Sequence, residues 1–85
     1  MLGSDDFISN TAYAMLNNSN LQVKSTLPIK NVQVFDITGR QIMNETLNNP
    51  STSFTIPFHR PQAVYIVEIS LDNGKVVTTK VINED

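Results

Sequence analysis

The stretch Ala63–Leu71, AVYIVEISL, restricts the possible folds of this chain more than any other segment. Tyr65, Val67, Ile69 and Leu71 recur at every second position, so an extended backbone places all four on one face. The interleaved Val and Ile side chains favour a pleated surface over a helix. DNG follows, and KVVTTKVI then runs on in the same style. Asp72-Asn73-Gly74 suits a three-residue hairpin loop, a type I turn closed by a glycine in the left-handed region. An antiparallel sheet must be built around this hairpin.

The segments upstream fit the same scheme. LQVKSTL alternates Leu21, Val23, Ser25 and Leu27 against Gln22, Lys24 and Thr26, and Pro28 is expected to end that strand. NVQVFDI sets Val32 and Val34 on one face and Phe35 and Ile37 on the other, which predicts a central strand covered on both sides. After the D-I-T-G-R turn, RQIMNETL reads as a weaker strand, NNPS as a turn, SFTIPF as a short strand ended by Pro57, and HRPQ as an irregular surface crossing. FISNTAYAML fits two patterns: Ile8, Ala12, Met15 and Leu16 would line a helix, whereas Ile8, Asn10, Ala12 and Ala14 would alternate along a strand. The turn-forming Asn17–Asn20 segment just before a clear strand favours the second. About seven short strands at this spacing predict an all-β fold, a small antiparallel β-sandwich of immunoglobulin-like form.

At 85 residues the chain is long enough for one domain and its core is thin. Residues 1–6 read as a flexible linker or expression scar, and residues 7–85 as the sandwich. The net charge is −2 and the six Lys and Arg residues are scattered, so no basic stripe is available to displace counterions from a phosphate backbone, and nucleic acid is not an expected partner. Cysteine is absent, which removes disulfides, thiolate zinc sites and thiol nucleophiles together. No apolar run approaches the roughly 20 residues that span a bilayer as a helix.

Catalytic chemistry has little to work with. His59 is the one histidine; it sits among Phe58, Arg60 and two prolines, with no second ligand type at a metal-binding spacing. Asp5-Asp6 and Glu84-Asp85 pair carboxylates, but at the chain ends, where solvation explains them. Asn17-Asn18-Ser19 and Asn44-Glu45-Thr46 match the glycosylation acceptor pattern, as a chain this rich in Asn, Ser and Thr does by chance. The D-I-T-G-R turn is conformational in its chemistry. Asp36 at its first position can accept a backbone N–H from two residues on, Gly39 can take positive φ, and Arg40 leaves the turn close enough to pair with Asp36. Neither a cofactor, a metal nor an enzymatic activity is expected.

The ordered set IKNVQVFDITGRQI, then a variable middle, then AVYIVEISLDNGKVVTTKVI resembles the C-terminal sorting domain of proteins exported by the type IX secretion system of Bacteroidota, in its type A-like form. The family pattern is V-x-V-[YF]-D-x-x-G-[RK], then [GA]-x-Y-[IV]-V-x-[IV], then N-G-K and a terminal Lys-Val. The segment from Ile29 to Val81 matches it in order, without the YPNP-like stretch that many members carry at the start of the domain. Carried over by position, the motif residues are Val34, Asp36, Gly39 and Arg40, then Tyr65 and Val67, then Gly74, Lys75, Lys80 and Val81. The resemblance implies a non-enzymatic address label on a cargo protein covalently linked upstream. In the family such a label is recognised at the outer membrane by the translocon and a shuttle protein. A sortase-like peptidase then removes it, and the cleavage would fall near or before Ser4–Asp6. The cargo ends secreted or at the cell surface, by way of the periplasm. Arg40, Lys75 and Lys80 are the residues expected to touch a receptor. The competing reading is an immunoglobulin-like or fibronectin-like accessory module binding glycan or protein.

Overall fold

A computed structural model describes residues 12–17 and 19–83. The expectations for residues 1–6, for Ile8 and Asn10, for the two terminal acidic pairs and for the cleavage point lie outside the described residues. Five strands, all antiparallel, form one curled sheet: β1 (Ala12–Asn17), β2 (Asn20–Asp36), β3 (Gln41–Pro57), β4 (Ala63–Leu71) and β5 (Val76–Asn83). The order is β1-β2-β4-β5, with β3 on the other side of β2.

The organising element is β2, which bends. Its first half, Asn20–Ser25, pairs with β1, and residues 20–24 also meet the last part of β3; its second half, from Ile29 to Asp36, lies between β4 and the first part of β3. Between the halves the register with β3 jumps from Lys24↔Ser53 to Ile29↔Ser51 and then to Asn31↔Thr46. Ser25–Pro28 on β2 and Leu47–Pro50 on β3 are therefore complementary bulges, each placing extra residues on one strand. Proline, lacking an N–H, is tolerated where the ladder is already broken. This corrects the expectation that Pro28 ends a strand and that NNPS is a turn. Both strands run through these points, which is why five strands of up to 17 residues are found where about seven short ones were expected. The Pro28 carbonyl is not wasted: it accepts the Asp72 N–H at 2.8 Å and ties the far hairpin to the bend.

The curl brings β1 against β5 and closes the sheet over one core. Leu21 and Val23 from the first half of β2, Ile29, Val32 and Val34 from the second, Tyr65, Val67, Ile69 and Leu71 from β4, and Val77 and Val81 from β5 are buried together. The inner face expected for β4 is thus found as such. For β2 only the Val32/Val34 face is fully covered; Phe35 is half-buried and Ile37 is 73% exposed at the turn. Being central in the sheet satisfies the backbone ladder on both edges of a strand, and that is a separate matter from covering both of its faces.

The Asn17–Asn20 hairpin is present, with Ser19 in the left-handed region at φ 65°. HRPQ is an exposed crossing, as its composition predicts, but Phe58 just before it is buried. Its N–H donates to the Ser19 carbonyl at 2.8 Å and its ring meets Tyr65 edge-on, with centroids 5.1 Å apart. The crossing is pinned at its start, and that fixes where β4 begins.

Candidate functional site

Four of the motif residues, Asp36, Gly39, Arg40 and Tyr65, meet at one end of the sheet. β2 ends at Asp36, which is the register partner of Tyr65 near the start of β4, and Ala63 in turn faces Asn83 at the end of β5. The Asp36–Arg40 turn, the Phe58–Gln62 crossing and the last residues of β5 therefore converge.

The turn is organised by one carboxylate. Asp36 Oδ1 accepts the Thr38 hydroxyl at 2.6 Å, the Thr38 N–H at 3.0 Å and the Arg40 N–H at 3.0 Å. Its Oδ2 lies 3.6 Å from Arg40 Nε. Backbone bonds from Gly39 N–H to the Asp36 carbonyl (2.9 Å) and from Asp36 N–H to the Arg40 carbonyl (3.0 Å) close the loop, and Gly39 takes φ +93°. The Thr38 hydroxyl first, and then the Arg40 N–H, hold the Asp36 carboxyl below its ordinary value of 3.8. Asp36 is thereby kept ionised, and the Arg40 side chain, 77% exposed, is left mostly in water.

The crossing supplies the opposite wall. Tyr65 Oη donates to the Pro61 carbonyl at 2.6 Å, a bond from a strand residue back to the backbone four residues upstream. Asn83 Nδ2 donates to the Arg60 carbonyl at 2.8 Å and to the Pro61 carbonyl at 3.3 Å, so the end of β5 clamps the same loop. Arg60 donates from Nη2 to the Ile42 carbonyl at 3.0 Å. Asp36, Arg40, Ile42, Arg60, Pro61 and Tyr65 line a cleft of about 130 Å³. That is smaller than the roughly 300–1,000 Å³ of a drug-sized ligand site and admits one side chain.

The remaining motif residues are elsewhere. Val34 and Val67 are register partners in the core, and Val81 is the register partner of Tyr65 and is buried. Gly74, at φ +90°, and Lys75 form a second turn of the same design at the opposite end of the sheet, with Gly74 N–H on the Leu71 carbonyl (3.0 Å) and Leu71 N–H on the Lys75 carbonyl (2.8 Å). Lys75 is exposed there, and Lys80 is exposed on β5 across from Ile66. Of the three cations expected to face a receptor, Lys75 lies at the opposite end of the sheet from Arg40. Arg60, Ile42 and Pro61 line the cleft and Asn83 holds its wall, and sequence reasoning singled out none of them. The Arg60–Ile42 contact spans 18 positions and the Asn83–Arg60 contact 23, so no local pattern announces either. His59 is exposed on the crossing and takes no part in the cleft. Among the described residues no three or more His, Cys, Asp or Glu side chains are grouped as a metal site would require.

A family model described as "Domain of unknown function (DUF8694)" matches residues 2–83. No curated protein matches the sequence. Among solved structures, CopC from Methylosinus trichosporium OB3b is similar in fold, with a TM-score of 0.53 and 11% identity, over 82% of this chain and 79% of that one. At that identity the likeness extends to the fold alone.

Proposed function

We propose, for a chain that belongs to the DUF8694 family, that it is a C-terminal sorting domain. It directs a periplasmic cargo through the outer-membrane type IX translocon and is then removed by a sortase-like peptidase. The observation that carries this reading is the placement of the motif. Its apolar members, Val34, Val67 and Val81, build the core; Gly39 and Gly74 make matching turns; Asp36, Arg40 and Tyr65 converge on a cleft without a nucleophile–base pair or a metal-ligand group among the described residues. Such an arrangement suits being recognised better than doing chemistry.

The finer architecture belongs to the same reading. Counting the halves of β2 and β3 on either side of their bulges separately, with β1, β4 and β5, gives seven segments, which we assign to two layers. The Tyr65 bond to the Pro61 carbonyl has the form of the tyrosine corner found in immunoglobulin-like sandwiches. We read the curled sheet as a small sandwich of that type. An accessory glycan-binding module would stack sugars on exposed aromatic rings. Tyr65 is buried, and Tyr13 is the exposed large aromatic among the described residues, which favours the sorting reading.

The test is a fusion. Residues Asp5 to Asp85 joined to a periplasm-directed fluorescent protein are expected to carry it out of a bacterium that has the type IX system and to leave it periplasmic in a strain lacking the translocon. Export from both strains, or from neither, overturns the assignment.

A further inference from the structure

The Asp36 cleft carries more positive charge than its own contacts consume. Two guanidinium groups, Arg40 and Arg60, line it with a single carboxylate. Asp36 spends Oδ1 on three donors of its own turn and offers Arg40 only a 3.6 Å approach. Arg60 is anchored by one bond from Nη2 to the Ile42 carbonyl, which holds its planar fork in place and does not neutralise it. Ile42, Pro61 and the Tyr65 ring add an apolar wall to the cleft.

We propose that this cleft binds the carboxylate of an acidic side chain presented by a peptide segment of a partner protein. The proposal deepens the sorting reading by naming the chemistry of the recognition partner, and rests on that reading for the partner's identity. A guanidinium fork matches a planar carboxylate through two parallel N–H···O bonds, and its weak hydration lowers the cost of bringing the two together. Charge selects the ligand: two arginines less one Asp36 leave the cleft at +1, which one carboxylate neutralises. A phosphate monoester would bring about −1.5 to −2 and meet repulsion from the Asp36 carboxylate in the same space. The small volume likewise suits one acidic side chain with its methylene stem against Ile42 and Tyr65.

The experiment is a titration of the ¹⁵N-labelled full chain with acetyl-Gly-Glu-Gly-amide, with acetyl-Gly-Gln-Gly-amide, and with inorganic phosphate. The glutamate peptide is expected to shift the Arg40 and Arg60 Nε–H signals and the Ile42 and Tyr65 amides with a Kd of order 1 mM, and the glutamine peptide to leave them in place. Arg40→Gln, which removes an exposed ion pair that contributes little to folding, should weaken glutamate binding about tenfold while signals outside the cleft stay fixed; Arg40→Gln with Arg60→Gln should abolish it. Equal shifts from both peptides, tighter binding of phosphate, or no shift at all overturns the proposal. Loss of carboxylate binding with translocon-dependent export intact removes the cleft's role and leaves the sorting function standing. Binding without such export does the reverse.

Discussion

Asp36 shows how one side chain can be read twice. In the sequence it is a turn former; in the structure it is also the acid that sets the electrostatics of a cleft. Its three hydrogen bonds favour the ionised form, so its folded value lies below the ordinary 3.8. A depressed acid contributes stability that is present above its unfolded value and is lost as pH falls through the folded one. Asp36→Asn keeps an oxygen for the Thr38 and Arg40 N–H groups but removes the charge. Urea unfolding should therefore place the wild-type midpoint above that of the variant near about pH 6 and bring the two together near about pH 2. A gap unchanged across that range would show that the charge of Asp36 contributes nothing to the fold.

At the scale of the strand, alternation decides what each position is worth. Ile69 is fully buried between Val32 and Val77, its register partners on the two neighbouring strands, whereas Ile66 on the opposite face is half-buried. Ile69→Ala is expected to cost about 2–5 kcal/mol through lost transfer energy and the cavity left behind, and Ile66→Ala about half of that or less. Chemical denaturation of the two variants checks the difference, and equal losses would mean that β4 does not present the face described. The pattern of β4 was legible because period-2 alternation and a glycine-closed turn are both local signals. The bends of β2 and β3 were not. Pro28 and Pro50 carry the local signature of a stop, yet neighbouring strands on both sides of each bulge resume the ladder, and a local rule has no term for that pairing.

For the whole molecule, the last strand closes the curl. β5 puts Val77 and Val81 into the core, lies against β1, and at Asn83 holds the crossing through its carbonyls. Deleting Lys80–Asp85 removes Val81, the buried register partner of Tyr65, and the Asn83 clamp together. The truncated chain should lose its sharp thermal transition and, in the fusion assay, its export. Retention of both would place recognition and the completion of the fold upstream of Lys80.

The residues of the chain dictate an all-β domain, the inner face of β4, two glycine-closed turns and the scarcity of catalytic groups, because alternation, turn chemistry and composition act over a few neighbouring positions. Strand continuity, the curl and the cleft were set by contacts across long stretches of chain. The Arg60 guanidinium became part of a site only when Tyr65 and Asn83 drew its loop against the Asp36 turn. No short window of sequence contains that information, since the free energy that places Arg60 is shared among residues from four separate segments of the chain.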